Sequence, residues 1–267
     1  NPTDNTGPES AYVNPAGMTG LKTTELSVGA AVVVPVVEYE TEIAEAGGDN
    51  GGDSGVGSVL PSFFLVVPVG KKFRIGFSVV SPVGGPDGLG WDFGDSWAGR
   101  YSSQGVTFAT TGLSVSGAWH VNDTWSVGAG VTANWLECNL AAAVNTPVPG
   151  DGKADFQDLD DWSARYFVGV QYHVSPASSF GLVYRSEWDP NVSGNLVLSG
   201  PGINARTEST TLNLVLPQQL EFGFQQALSK IVVVDLTYGW TDWSAFSGIG
   251  VNVAFDNGDV KSGIFDV

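Results

Sequence analysis

The dominant regularity along the chain is an alternation of apolar with small polar side chains. Its period of two sends successive residues to opposite faces of a β-strand. From Trp125 to Trp135 the odd positions carry Trp125, Val127, Ala129, Val131, Ala133 and Trp135, and the even positions Ser126, Gly128, Gly130, Thr132 and Asn134. The stretch before it sets Leu113, Val115, Gly117 and Trp119 against Ser114, Ser116, Ala118 and His120. The repeat holds again in Phe73, Ile75, Phe77, Val79, in Tyr166, Val168, Val170, Tyr172, in Leu220, Phe222, Phe224, and in Val232, Val234, Leu236, Tyr238, Trp240. These segments predict nine strands, starting near Thr24, Pro61, Lys72, Val106, Asp123, Trp162, Ser179, Thr211 and Ile231, with a tenth from about Val260.

A soluble β-sandwich also alternates, but its outer face usually carries Lys, Glu and Arg. Here the polar face is Ser, Gly, Thr and Asn, while the apolar face is aliphatic and bracketed by Trp or Tyr. That describes a strand with one face toward lipid and aromatic girdles at both interfaces, so the predicted class is all-β, an antiparallel transmembrane β-barrel. The connections agree, because such barrels alternate short turns with long external loops. Short turns are expected near 70–72, 120–124, 173–178 and 227–230, and long polar connections over 39–59, 82–105, 138–161 and 186–210.

Composition sharpens the picture. Of 267 residues 36 are Gly and 11% aromatic, whereas only 15% are charged, which suits strands and turns better than helices. The excess of 28 acidic over 11 basic residues, a net charge of −17, repels phosphate backbones and excludes nucleic acid as a partner. A single cysteine, Cys138, and two histidines, His120 and His173, predict neither a disulfide nor a metal centre, and no cofactor is expected. The apolar stretches 28–37 and 63–69 fall well short of a membrane helix. Asn1 opens a polar segment, so any signal peptide is expected to have been removed or to lie outside this sequence.

At the ends of the strands lie motifs in a fixed order: "YVNPAGM" around Asn14, "LPSFFLVVPV" from Leu60, "WAGRY" at Trp97 to Tyr101, "LSVSGAWHVNDTWSVGAGV" from Leu113, "GLVYRSE" at Gly181 to Glu187, and "LVLPQQLEFGF" with "TDWSAF" beyond it. Together they resemble the FadL family of outer-membrane transporters for long-chain fatty acids and other hydrophobic compounds. The resemblance implies a fourteen-stranded barrel with an N-terminal hatch, in the outer membrane of a Gram-negative bacterium. Nine or ten strands are expected here, with residues 1–22 as a short hatch segment, residues 23–267 as barrel, and C-terminal strands missing. The chain is expected not to be an enzyme.

The resemblance also suggests site residues. Asn14, Pro15 and Ala16 belong to the hatch; read alone, Asn-Pro is a turn. Ser81, Pro82, Val83, Gly84 and Gly85 fall where the family has a strand kink that opens the wall sideways; read alone, they begin an external loop, with Pro82 removing a ladder donor. Trp91, Phe93, Trp97, Tyr101, Leu140 and Val144 are candidates for ligand capture, or else pack the loops together. Arg100 and Arg185, with Arg165 and Arg206 behind them, could hold a carboxylate headgroup, although pairing with the abundant acids is the commoner role. By the resemblance, the stretch Leu140–Val144 aligns with part of the region where the family's fatty-acid members carry basic residues; it has none, which leaves neutral hydrocarbons open as ligands. Asp151, Asp155, Asp158, Asp160 and Asp161 are spaced poorly for a calcium loop. His120 and His173 stand beside no nucleophile motif. The expected partners are a hydrophobic small molecule and outer-membrane lipid; the alternative is a non-transporting barrel or adhesin with acidic loops.

Overall fold

The structure, a computed structural model, describes residues 1–42, 47–245, 249–254 and 260–265. It opens with one helical turn, α1 (Ser10–Val13), and a 3-10 segment, Pro15–Gly20. The strands that follow are β1 (Glu25–Val33), β2 (Gly55–Val56), β3 (Ser58–Val69), β4 (Phe73–Val80), β5 (Leu89–Asp92), β6 (Gly105–His120), β7 (Trp125–Val144), β8 (Gly152–Ser175), β9 (Ser178–Arg185), β10 (Asn191–Ser199), β11 (Arg206–Asn213), β12 (Gln219–Ala227), β13 (Val233–Thr241), β14 (Ile249–Ala254) and β15 (Val260–Phe265).

All pairings between them are antiparallel within one sheet. At the short-turn end the order is β1-β3-β4-β6-β7-β8-β9-β12-β13. At the other end the sheet forks, because the upper half of β8 pairs with β10, which leads through β11 and β14 to β15. Among the described residues β1 and β13 each have one partner strand.

The alternation sorts side chains as predicted. Leu113, Val115, Trp119, Val131, Tyr166 and Val168 point outward and exposed, while Ser114, Ser116, Ser126, Thr132, Asn134 and Gln171 are buried on the inner face. Outward aromatics gather at the short-turn end: Phe73 stacks on Trp119 and Tyr172 on Phe180, and Trp125 meets Tyr172 and Phe180 meets Phe224 at a tilt, with centroids 4.5–6.4 Å apart. Ten residues separate Trp125 from Trp135. At about 3.4 Å each and a tilt of about 40°, they set the two aromatic levels about 26 Å apart, the height of an outer-membrane apolar band.

Two expectations are corrected. The connection predicted over 138–161 is mostly strand, since β7 and β8 continue as one ribbon to Val144 and Gly152, so Trp162 lies well inside β8 rather than at its start. The connection over 186–210 likewise contains β10 and most of β11, so Thr211 lies in a hairpin strand and the next wall strand begins at Gln219. Both ribbons are richer in polar residues and longer than a membrane strand needs, so period-two reading tuned to lipid-facing faces passes over them. The tenth strand from Val260 is present as β15, but its partner is β14 and not a wall strand.

Candidate functional site

The N-terminal residues lie across the inner face of the wall, and the small polar character of that face is what admits them. A side-chain atom added at Gly76 would stand 2.5 Å from Met18 Sδ, and one at Gly128 2.6 Å from the Pro15 carbonyl carbon; at Gly169 it would overlap Asn14 and at Gly181 the Pro2 carbonyl. Glycine at these positions leaves room for a second layer of backbone.

Polar side chains then tie the layer down. Asn14, fully buried, donates from Nδ2 to Pro2 O (2.7 Å) and Val170 O (3.3 Å), and its Oδ1 accepts from Ala16 N (3.1 Å), capping the 3-10 segment that Pro15 starts. Gln171 Nε2 donates to Pro2 O and Asp4 O, both 3.0 Å, and Ser116 Oγ to Ala11 O at 2.9 Å. Thr19 and Ser126 hydroxyls meet at 2.8 Å. Two arginines close the ends: Arg74 Nε donates to Leu21 O (2.6 Å), and Arg185 Nη2 to Tyr12 O (2.9 Å) and Val13 O (2.7 Å).

Arg74, Ser116 and Gln171 join the site only through the fold. Their signal is a hydrogen-bonding side chain, charged in the case of Arg74, at an inward position of an alternating strand, where burial demands a partner.

Ser81–Gly85 sit at a break in the wall. The ladder between β4 and β6 ends at Val80–Gly112 and resumes only at Leu89–Phe108, so among the described residues 109–111 of β6 have no strand partner on that side. Ser58–Ser62 of β3 pair with β1 alone. Side chains span the interval instead. Thr110 Oγ1 accepts from Val83 N (2.9 Å) and donates toward the Val83 and Gly84 carbonyls (2.9 and 3.0 Å), and Gly85 N donates to Ser58 Oγ (2.9 Å). Asp87 accepts from Ser58 Oγ and from Val59 N, which holds its carboxyl below the usual carboxylate range. Gly84 has φ +71° and a side-chain atom there would overlap Phe108 O; one at Gly85 would overlap Val59 O.

The inner face changes character at this level. Along β7 it runs Ser126, Gly128, Gly130, Thr132, Asn134 and then Leu136, Cys138 and Leu140; along β6 it runs Ser116, Ser114, Gly112, Thr110 and then Phe108. Above the change, Leu136, Cys138 and Leu159 pack with Trp188 of the β9–β10 connection and with Val192, Leu196, Leu212 and Val253 of the forked sheet. Burial pushes the Cys138 thiol up to about 12, so it behaves as a small apolar side chain.

The capture candidates divide. Phe93 and Trp97 are buried, stacked at 4.1 Å, with Tyr39 edge-on to both, so they pack loops against each other. Trp91 and Leu140 line an external groove of about 420 Å³ with Thr107 and Lys153. Tyr101 and Val144 line a separate one of about 620 Å³.

Of the headgroup candidates, Arg100 is held by Asp151 (2.7 Å) and by the carbonyls of Gly47 and Trp97, and Arg185 by Glu221 (3.1 Å) and the N-terminal carbonyls. The Tyr101 hydroxyl, then Arg100, hold Asp151 below the usual carboxylate value, while hydrogen bonding to Asp151 raises Arg100 and Tyr101. Arg206 pairs with Glu208 (3.3 Å). Arg165, buried on the inner face, reaches Gln219 Oε1 at 3.5 Å.

The acids of 151–161 scatter: Asp155 goes to Lys153, Asp160 to Trp135 Nε1 and Asp161 to Asn191 N, and no metal-binding group of His, Cys, Asp and Glu occurs among the described residues.

Comparison with known proteins adds an independent line. Residues 3–263 match the family described as outer membrane protein transport protein (OMPP1/FadL/TodX). The long-chain fatty acid transport proteins of Salmonella typhi and of Escherichia coli O6:H1 are 25% and 23% identical over 262 and 273 residues, each match taking in 87% of this chain and 59% of the relative. The chain thus spans about three-fifths of the length of these relatives. Among solved structures, a Pseudomonas aeruginosa FadL homologue has a TM-score of 0.77 at 21% identity, covering 97% of this chain and 69% of its own. The Pseudomonas putida toluene transporter TodX has 0.77 at 15%, covering 98% and 72%.

Proposed function

The chain belongs to the outer membrane protein transport protein family (OMPP1/FadL/TodX), and from that membership we propose that it conducts hydrophobic small molecules, long-chain fatty acids or hydrocarbons, inward across the outer membrane. It is a protein of the Gram-negative outer membrane and a transporter family member rather than an enzyme. The observation that carries the proposal is the interruption of the wall at Ser81–Gly85, beside an inner face packed with apolar side chains above and covered below by the N-terminal residues.

In this reading residues 1–22 are the hatch, and the rest of the chain is barrel wall with external ribbons. The groove at Trp91 and Leu140 takes up the molecule, the apolar inner face above Asn134 carries it down, and the hatch blocks the direct route to the periplasm. Exit is sideways through the wall at Ser81, Pro82, Val83, Gly84 and Gly85. Each methylene moved from water to an apolar surface stabilises the molecule by about 0.8 kcal/mol, so a path ending in lipid is downhill throughout, which an aqueous pore would not be. Opening requires only that 81–88 release its side-chain bonds, with no strand ladder to break, because none joins Val80 to Leu89. In this reading Arg100 and Arg185 serve as structural anchors, each engaged by a carboxylate, and Arg165, with one side-chain bond at 3.5 Å, is the headgroup arginine.

The test is uptake of labelled toluene, oleate and maltose by vesicles or cells carrying the full-length protein. Toluene or oleate should enter and maltose should not; maltose entry would mean an open aqueous pore. Gly84→Val with Gly85→Val, which forces side chains against Phe108 O and Val59 O, should lower uptake several-fold while the barrel still assembles. Unchanged uptake in an assembled double variant would remove the lateral exit.

A further inference from the structure

The break in the wall has the form of a framed window. Below it run the pairings Phe63–Val79 and Val80–Gly112, and above it Val56–Gly90 and Leu89–Phe108. Its sides are Ser58–Ser62 of β3 and residues 109–111 of β6, each paired with a strand on the far side alone. Residues 81–88 fill the frame without joining a ladder, and Pro82 and Pro86 lack the N–H that strand pairing needs.

Two glycines with left-handed backbone divide this segment, Gly84 at φ +71° and Gly88 at φ +85°. Between them Gly85, Pro86 and Asp87 form a short flap, closed on itself by Gly88 N donating to Gly85 O at 3.0 Å. The attachments divide at the first of these glycines. Thr110 of β6 holds Val83 and the Gly84 carbonyl, at or before it. Among the described residues the hydrogen bonds from the flap to the frame run to β3 instead. Gly85 N donates to Ser58 Oγ (2.9 Å), Ser58 Oγ donates to Asp87 Oδ1 (2.5 Å), and Val59 N lies 3.2 and 3.1 Å from Asp87 Oδ1 and Oδ2.

Asp87 is the one charged residue of 81–88 and is exposed, whereas Ser58 is buried. Its carboxylate takes the place of the strand carbonyl that Val59 N would meet in an unbroken sheet. That difference decides how the window can move. An exposed carboxylate can exchange its partners for water while the ladders on all sides stay intact.

We propose that Asp87 is the latch of the sideways exit: its release lets Gly85–Asp87 swing on Gly84 and Gly88 away from β3, and the transported molecule leaves between the flap and Ser58–Ser62 while the β6 side stays anchored. This rests on the transport reading above and adds to it the residue that sets the exit rate and the side on which the window opens. Asp87 acts through the flap, so it is a positioning residue.

The experiment follows uptake of labelled oleate, toluene and maltose by cells of a Gram-negative host that lacks its own member of this family and carries the full-length protein, with assembly checked by heat-modifiable gel mobility. Asp87→Ala should raise the initial uptake of oleate and toluene about fivefold, and Asp87→Asn, which keeps one acceptor oxygen, by a smaller factor, with maltose excluded in both. In purified protein the amides of Val59 and Gly85 should exchange about fivefold faster in Asp87→Ala, while that of Val83, held by Thr110, keeps its wild-type rate.

Unchanged or lowered uptake in an assembled Asp87→Ala variant would overturn the latch. The transport reading would survive that result if wild type takes up oleate or toluene and Gly84→Val with Gly85→Val still lowers the uptake. Maltose entry through Asp87→Ala would also overturn the latch, since the carboxylate would then hold the wall together. Equal acceleration at Val83 would overturn the swing on Gly84 and with it the assigned side. Entry of neither oleate nor toluene through wild type would overturn the transport reading, and this inference with it.

Discussion

Replacing Arg185 with leucine should release the N-terminal segment from the inner face of the wall while leaving the strand ladders in place. Arg185 is buried on the inner face of β9 and makes three hydrogen bonds, two of them to carbonyls of α1 and its C-terminus, Tyr12 O at 2.9 Å and Val13 O at 2.7 Å. The third goes to Glu221 (3.1 Å), whose side chain is 37% exposed, and the guanidinium also lies 5.3 Å over the Tyr12 ring. The partly exposed ion pair is worth at most about 1 kcal/mol, whereas charge-assisted bonds to part-buried carbonyls contribute roughly 1.5–3 kcal/mol each. Because water can enter as the segment lifts, the lower end applies, and the loss in docking free energy is about 3 kcal/mol, or roughly 150-fold in the docked-to-lifted ratio.

The assay is amide hydrogen exchange of the full-length protein. The N–H groups of Tyr12, Val13 and Asn14, bonded to Glu9 O, Glu9 O and Ser10 O, should exchange on the order of 100-fold faster in Arg185→Leu, while amides in the middle of β7 keep their wild-type rates. Glu221→Gln should accelerate the same amides by less than about fivefold, because it keeps the carbonyl bonds. Unchanged exchange at Tyr12–Asn14 in Arg185→Leu, or an equal effect from Glu221→Gln, would refute the reasoning.

Two further outcomes follow from the wall and the ribbons. Val131→Arg, placing a charge outward and midway between Trp125 and Trp135, should destabilise the folded protein in vesicles by about 2–4 kcal/mol in a urea titration, whereas Val148→Arg at the ribbon tip should change it by less than about 0.5 kcal/mol; equal effects would show that the band does not face lipid. Asp151 has its carboxyl held below the ordinary value of 3.8, so its contribution is fully present above that pH and is lost only as pH falls through the lower folded value. Limited proteolysis at the 145–151 tip should therefore proceed equally at pH 7 and pH 5 in wild type and faster at both in Asp151→Asn; a wild-type onset between pH 7 and 5 would contradict the assignment.

The candidate site was only half legible in the sequence. Asn14 to Ala16 and Ser81 to Gly85 are local signals, a capping turn and a proline with two glycines ending a strand, and the structure finds them at the N-terminal layer and at the wall break. The capture and headgroup candidates were chosen by residue type, and type does not say what a side chain meets. Phe93 and Trp97 meet Tyr39 from a different connection, and Arg100 meets Asp151 across two ribbons. The strands β10, β11 and β14 carry no lipid-facing alternation because their apolar side chains pack on the inner face of β7 and β8 instead.

By itself the sequence determined the strand period and the two faces, which depend on neighbours one or two residues apart, and the girdle spacing and family resemblance, which depend only on the order and linear distance of residues along the chain. Tertiary structure alone decided which buried polar groups find partners. Gln171 reaches Pro2, Arg185 reaches Val13, and Asn134 reaches nothing, although all three are polar side chains on the same inner face. A hydrogen bond is satisfied by an atom about 3 Å away in space, and strand register brings that atom from more than a hundred residues distant or leaves the place empty.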